Sequence, residues 1–230
     1  MNAMFRFNQY LCDRTRRSVC LSNDRPVGLV VGTSGTGKST LALEFARQFL
    51  KPSQRVFYFS GCSEDLGLPP SCLLEEHLDE LSRNENFTML HQQQSHHLLD
   101  IEFTDKDLII FDEVISDLNL LAKLLPRIKK NETKILLVAQ SISDVEDVLI
   151  SASQVAFKLF SKLSTSALTT YFNDHDLDDA LKINKRLNIS NEGACFLLLN
   201  QVSSNTLEPS QYDFLCRSNQ VFHQNKQLAA

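Results

Sequence analysis

The sequence predicts an α/β fold with a mainly parallel central sheet flanked by helices. Short apolar runs alternate along the chain with segments whose apolar residues repeat at helical spacing, as in strand–helix–strand units. A glycine-rich stretch, residues 32–39, stands between one of these apolar runs and the first helical pattern. Such a stretch is typical of the turn from a buried parallel strand into a helix. At 230 residues, the chain has the length of a single domain with a full core.

Strands are expected where the apolar runs are short and rich in Val, Ile, Leu or Phe. These runs are residues 27–31, 55–60, 107–111, 134–139, 154–160 and 194–200. Helices are expected where apolar residues recur at helical spacing. These segments are residues 38–50, 73–82, 116–130, 143–151, 164–172 and 177–187.

The same pattern suggests how the chain is divided. Residues 25–202 are expected to form the main domain, and residues 203–230 a C-terminal extension that packs on or beside it. Residues 1–24 are locally basic and are predicted to form an N-terminal arm. That arm is either solvated or in contact with DNA or a neighbouring subunit.

Composition excludes several classes of protein. The net charge of −5 argues against a polybasic nucleic-acid binder. It is compatible with DNA binding through a local basic surface of an oligomer. No apolar run approaches the roughly 18 to 20 residues of a membrane span, and we expect no secretion signal. The six cysteines contain no C-x-x-C pair and are expected to be reduced thiols. A zinc site from Cys62, Cys72 and His77 would fit no common spacing.

The glycine-rich stretch fits a phosphate-binding loop. Its order of residues, Gly32-Thr33-Ser34-Gly35-Thr36-Gly37-Lys38-Ser39, matches G-x-x-x-x-G-K-[ST]. Glycines let backbone N–H groups turn towards phosphate oxygens, the lysine reaches the β and γ phosphates, and the serine hydroxyl ligates Mg²⁺. The sequence therefore predicts a site for ATP and Mg²⁺. Its expected binding residues are Gly32, Thr33, Ser34, Gly35, Thr36, Gly37, Lys38, Ser39 and Thr40.

Two acids follow the apolar run 107–111, where a phosphate-loop enzyme needs them. Asp112 is expected to hold Mg²⁺ together with Ser39, and Glu113 to act as general base on the attacking water. Ligands in such folds lie beyond the carboxyl ends of the strands, which favours this placement. Gln140 ends the next strand and is expected to contact the γ-phosphate or orient the water.

These landmarks together resemble the FtsK–HerA superfamily of DNA-pumping ATPases. Within it, the chain is similar to the compact genome-packaging ATPases of tailless double-jelly-roll viruses, phages and virophages. The resemblance covers roughly residues 25 to 200 and includes two further segments. Residues 154–164 look like the family's edge strand with its serine/lysine run, and residues 191–199 look like its last strand, entered through a glycine.

The resemblance implies a RecA-like P-loop NTPase of the additional-strand, catalytic-glutamate type. It also implies a ring oligomer, a hexamer in this family, that translocates double-stranded DNA. Capsid vertex or portal-like proteins would then be partners, and the host cytoplasm or the virion vertex the location. Loops 61–72 or 84–100 are guesses for the lining of a DNA pore.

The resemblance also implies a cation that acts in trans on the neighbouring subunit's site. Spacing favours Lys129, with Lys130 and Arg127 as alternatives. A basic helix end favoured by the helix dipole would explain the same residues. The chain departs from cellular members at Ala139-Gln140-Ser141-Ile142, where they usually carry Thr-Gln followed by Arg-Pro.

Three other functions share the phosphate loop. A small-molecule or nucleoside kinase usually needs an arginine-rich lid, but Arg83 is the sole arginine between residues 61 and 105. A related ATPase for DNA transfer, secretion or export usually carries a membrane segment. A nucleotide-gated binding module that hydrolyses slowly would not need Glu113.

Overall fold

The computed structural model describes most of the residues expected to form the core. The described residues are 2–7, 10–12, 18–60, 78–91, 97–113, 118–140, 155–162, 185, 195–200 and 212–217. The predicted helices at 143–151 and 164–172 lie outside them, as do most of the one at 177–187 and the loop 61–72.

The helices and strands are numbered in chain order. The strands are β1 (Ala3–Arg6), β2 (Tyr10–Cys12), β3 (Ser18–Leu21), β4 (Val27–Val31), β5 (Arg55–Ser60), β6 (Phe87–His91), β7 (Asp107–Asp112), β8 (Lys134–Ala139), β9 (Val155–Phe160), β10 (Cys195–Asn200) and β11 (Tyr212–Arg217). The helices are α1 (Lys38–Phe49) and α2 (Leu118–Lys130), and residues 78–82 are also helical.

Nine of the described strands form one sheet, in the order β2-β11-β10-β9-β4-β8-β7-β5-β6. The six strands from β9 to β6 run parallel, whereas β10, β11 and β2 continue the sheet in antiparallel fashion. The predicted parallel α/β fold is therefore confirmed. The strand β8 lies between β4 and β7, so the end of β8 is inserted between the loop strand and the acid-bearing strand.

The inner parallel strands β4, β7 and β8 are buried on both faces, as their continuous apolar runs require. Along β7, Leu108 and Ile110 face the core that contains α1, whereas Ile109 and Phe111 face the core that contains α2. Successive side chains of a strand point to opposite faces, so one short run supplies both cores. All four residues are almost completely buried.

The N-terminal segment differs from the expected solvated arm. Strands β1 and β3 form a separate antiparallel pair, and β1 packs against α1. The Phe5 ring stacks on Phe45 of α1 with centroids 4.6 Å apart, and Gln48 hydrogen-bonds both the N–H and the carbonyl of Arg6. Buried and exposed residues alternate along β1, but the exposed Met4 interrupts the alternation of apolar and polar residues that would have predicted this strand. The domain boundary at residue 24 stays a prediction.

Three more strands were not predicted. These strands are β2, β6 and β11. β2 and β11 belong to the antiparallel part of the sheet, and β6 is its other edge strand. β2 has only three residues, and β6 and β11 mix polar with apolar residues, so none of the three gives a long apolar run. Local periodicity did not identify them because much of their stability comes from pairing with neighbours.

Candidate nucleotide-binding and hydrolysis site

The phosphate-binding loop lies between β4 and α1, at the carboxyl edge of the parallel strands. Gly35 and Gly37 have φ values of 74° and 84°, in the left-handed region that glycine adopts without strain. The helix begins at Lys38, and the Leu41 N–H already donates to the Gly37 carbonyl at 3.0 Å. The backbone N–H groups of this first turn therefore point towards the loop, as anion binding requires.

Lys38 is buried and hydrogen-bonded within the loop. Its Nζ donates to the Thr33 carbonyl at 2.9 Å, and only 4% of the residue is exposed. The Thr36 hydroxyl donates to the same carbonyl at 2.8 Å. The ammonium group is thus held beside the loop, in position to exchange a carbonyl oxygen for phosphate oxygens. Ser39 is half-buried and Thr40 is buried, both in the first turn of α1.

The loop is tied to the ends of the two strands beside β4. The Gly32 N–H donates to the Ala139 carbonyl of β8 at 3.2 Å, and the Thr33 N–H donates to the Lys162 carbonyl at 2.9 Å. A Cβ at Gly32 would lie 1.7 Å from Ser161 Oγ, so only glycine fits there. These contacts fix where the loop leaves the sheet.

Asp112 ends β7 and is 5% exposed. The Tyr58 hydroxyl of β5 donates to its Oδ2 atom, whereas Oδ1 is buried with no hydrogen-bond partner among the described residues. Burial raises the pKa of the carboxyl, and the charge of Glu113 adds to that effect. Hydrogen bonding from Tyr58 and Ser39 lowers the pKa and does not offset the burial.

These residues fit a magnesium site. A carboxylate that is buried beside a serine hydroxyl and keeps one oxygen without a partner is suited to a hard cation or to its water ligands. The predicted partner Ser39 lies in the first turn of α1, and its hydroxyl lowers the pKa of the Asp112 carboxyl. The Tyr58 hydroxyl donates to the Asp112 carboxylate and thereby orients it.

Glu113 adopts a strained backbone conformation directly after β7. Its φ is 65°, which is uncommon for a residue other than glycine and costs of the order of 1 kcal/mol. Its N–H donates to the Val138 carbonyl of β8 at 3.0 Å, which continues the pairing of the two strands. The turn directs the residue away from the run of the strand, and strain of this kind clusters at functional sites.

Gln140 follows β8 and contacts Glu113. Its Nε2 donates to Glu113 Oε1 at 3.2 Å. The insertion of β8 between β4 and β7 explains this contact, since it places the end of β8 between the loop and the acids. Lys38, Ser39, Asp112, Glu113 and Gln140 therefore all lie at one edge of the sheet.

The basic end of α2 lies elsewhere. This helix returns from the carboxyl edge of the sheet to the amino end of β8, so Lys129 lies at the edge opposite to the phosphate loop. Arg127 donates through Nη1 to the Leu99 carbonyl and through Nη2 to the Ile101 carbonyl, the latter at 2.8 Å. Arg127 is therefore committed to its own subunit, whereas Lys129 and Lys130 are exposed.

Sequence reasoning missed two residues of this site. Tyr58 stands in the apolar run 55–60, which predicts a strand and no functional residue, yet its hydroxyl reaches Asp112 from the neighbouring strand. Ser161 was noted as part of a serine/lysine run, without a contact. The signal for both was their position at or near the carboxyl end of a parallel strand, where the site is built.

The fold is that of RecA-like P-loop ATPases. Solved structures share that fold, although no family model matches the chain and no curated protein matches it. The DNA-packaging ATPase B204 from Sulfolobus turreted icosahedral virus is similar at a TM-score of 0.52 and 13% identity. The match covers 85% of this chain and 98% of that one.

The related genome-packaging NTPase B204 from Sulfolobus turreted icosahedral virus 2 is similar in two nucleotide complexes. With ATP-gammaS the TM-score is 0.52 at 13% identity, and with AMPPCP it is 0.50 at 12% identity. Each match covers 85% of this chain and 98% of that one. The resemblance to compact packaging ATPases is therefore confirmed for the fold. None of the helices in the described residues is long and apolar enough to cross a membrane.

Proposed function

We propose that this chain hydrolyses ATP and uses the reaction to translocate double-stranded DNA. The observation that carries the first part is the convergence of Lys38, Asp112, Glu113 and Gln140 at the loop edge of one sheet. A loop that only bound phosphate would not need a buried carboxylate with a second acid behind it. The acids give the site the means to bind a metal and to activate water.

ATP would bind with its phosphates in the loop formed by residues 32–39. Lys38 would leave the Thr33 carbonyl for the β and γ phosphates and neutralise their charge. Ser39 and Asp112 would hold Mg²⁺, which neutralises the charge that develops on the phosphate oxygens. Glu113 would accept a proton from the attacking water as general base.

Gln140 would couple the γ-phosphate to the general base. Its amide is hydrogen-bonded to Glu113 Oε1, so an amide that turned to a γ-phosphate oxygen would release the carboxylate. Hydrolysis would then depend on a complete nucleotide. A cation from the next subunit, with Lys129 as first candidate, would complete the site in a ring. The rate of ATP hydrolysis would then depend on assembly of the ring.

The DNA part of the proposal rests on the shared fold. The solved structures that match nearly end to end are a DNA-packaging ATPase and a genome-packaging NTPase. We propose the same task for this chain: packaging of a viral genome by a hexameric ring at a capsid vertex in the host cytoplasm. DNA would be held mainly through its phosphates, with little reading of bases.

Steady-state ATP hydrolysis tests both parts. It should be measured with and without long double-stranded DNA, at low and high protein concentration. A turnover number that rises with DNA and with protein concentration would support an assembled DNA pump. Turnover that rises with concentration but ignores DNA would favour a secretion or export ATPase. Turnover indifferent to both would point to a kinase or a slow switch, and phosphorylation of added nucleosides would identify the kinase.

A further inference from the structure

The end of β9 makes a second, side-chain attachment to the phosphate-binding loop. Ser161 follows β9 directly and is completely buried. Its Oγ lies 2.6 Å from Thr36 Oγ1, a contact between residues 125 positions apart. The Ser161 N–H donates to the Val31 carbonyl at 2.8 Å, so the backbone that carries the hydroxyl is itself fixed to β4.

The direction of these hydrogen bonds follows from the number of protons. The single hydroxyl proton of Thr36 is donated to the Thr33 carbonyl at 2.8 Å. Ser161 must then donate to Thr36, because its alternative acceptor, the Val31 carbonyl, lies at 3.4 Å. The result is a chain from Ser161 to Thr36 to Thr33, which ends on the carbonyl that also accepts from Lys38.

We propose that Ser161 is a positioning residue for nucleotide binding. Its hydroxyl holds Thr36, and through Thr36 the tip of the loop, in the shape that receives phosphate. This inference rests on the proposed function of the loop and adds a residue that touches no nucleotide. Ser161 closes the space beside Gly32, where a Cβ would lie 1.7 Å from its Oγ, so serine and glycine form a matched pair.

The substitution Ser161→Ala should weaken binding more than catalysis. Loss of the hydroxyl leaves Thr36 without its buried donor, and the loop becomes free to leave the binding shape. The nucleotide must then restore that shape as it binds, a cost of preorganisation. One buried hydrogen bond of this kind corresponds to about a 3- to 10-fold rise in dissociation constant. Once phosphate is bound, kcat should stay within about twofold of wild type.

A buried hydroxyl at the opposite edge of the sheet provides the matched control. Thr133 is also completely buried, and its Oγ1 donates to the Thr104 carbonyl at 2.9 Å. The substitution Thr133→Val keeps the shape of the side chain and removes one buried hydrogen bond, as Ser161→Ala does. Both variants should unfold at similarly lowered urea concentrations, but only Ser161→Ala should lose affinity.

The decisive experiment is titration calorimetry with AMPPCP and Mg²⁺ on four proteins: wild type, Ser161→Ala, Thr36→Val and the double variant. We expect each single variant to bind AMPPCP more weakly than wild type does. The double variant should bind no more weakly than the weaker-binding of the two single variants. If the rise in dissociation constant of the double variant equals the product of the two single rises, Ser161 does not act through Thr36. Wild-type affinity in Ser161→Ala, or an equal loss in Thr133→Val, would also overturn the inference.

The same titration separates this inference from the proposed function. A wild type that binds AMPPCP but does not hydrolyse ATP would contradict the proposed ATPase and leave the role of Ser161 to be decided by the four affinities. A wild type that does not bind AMPPCP would overturn both.

Discussion

Strand β7 begins and ends with a buried aspartate, and the two have different surroundings. Asp107, at the amino end, receives Nε and Nη2 of Arg55 at 2.9 and 2.7 Å and the Thr104 N–H at 2.7 Å. Asp112, at the carboxyl end, receives the Tyr58 hydroxyl and keeps Oδ1 without a hydrogen-bond partner among the described residues. Asp107 is therefore buried in an ion pair with Arg55. Asp112 is buried against the neutral hydroxyl of Tyr58, and no salt bridge to it is seen among the described residues.

Asp107 therefore stabilises the fold, whereas we propose that Asp112 binds a ligand. Asp107 is neutralised within the chain, and its hydrogen bond raises the pKa of Arg55. For Asp112, burial raises the pKa of the carboxyl more than the hydrogen bonds of Tyr58 and Ser39 and the charge of Lys38 lower it. Such a residue costs stability and is expected to be stabilised when a cation binds.

The largest effect should come from Asp112→Asn, which removes the charge at the functional end. We expect Mg²⁺-dependent ATP turnover to fall by about 100-fold or more, because a neutral amide is a poor partner for the metal and its waters. The free energy of unfolding should equal or exceed that of wild type. Turnover assays and urea unfolding check the two halves. A clear loss of stability would show that Asp112 is a structural acid like Asp107.

Asp107→Asn should give the opposite result. The amide cannot match the paired donors of Arg55, and we expect a loss of roughly 2 to 3 kcal/mol in unfolding free energy, discounted because Arg55 is partly exposed. Turnover per folded molecule should be unchanged, because the residue is at the other end of β7. Urea unfolding at neutral pH provides the measurement. An inactive but fully stable variant would contradict this assignment.

The pH dependence of the unfolding free energy should further distinguish Asp112 from Asp107. An acid whose pKa is raised by folding stabilises the protein fully below its ordinary pKa of about 3.9 and loses that contribution as pH rises through the folded value. Without nucleotide and Mg²⁺, the unfolding free energy of wild type should therefore fall relative to that of Asp112→Asn as pH rises above about 4. A difference that does not change with pH would show that the carboxyl is not destabilised by burial.

The smallest effects concern the end of α2. Arg127→Ala removes two hydrogen bonds to backbone carbonyls and should cost about 1 to 2 kcal/mol of unfolding free energy. Lys129→Ala changes an exposed side chain and should stay within about 0.5 kcal/mol. If Lys129 acts in trans, its variant should lose turnover only at concentrations at which wild type assembles. Equal turnover at all concentrations would leave Lys130 as the next candidate.

The sequence predicted five of the six described parallel strands and the edge where the site lies. The apolar runs at 27–31, 107–111 and 134–139 became β4, β7 and β8, because strands buried on both faces carry their signal locally. Strands β1, β2, β3, β6 and β11 were missed, because pairing and packing with distant residues stabilise them. Ser161 and Tyr58 gained their roles from neighbouring strands, and single-sequence patterns do not show which strands are neighbours.

We propose that the acids at the end of β7 serve the hydrolysis of ATP bound in the phosphate loop. ATP turnover by Glu113→Gln, measured beside AMPPCP affinity in the same preparation, tests this role of the acids. We expect turnover to fall by about 10²- to 10⁴-fold, the usual contribution of a general base, with affinity close to wild type. Turnover equal to wild type would contradict the claim and leave a loop that binds nucleotide without this catalytic acid.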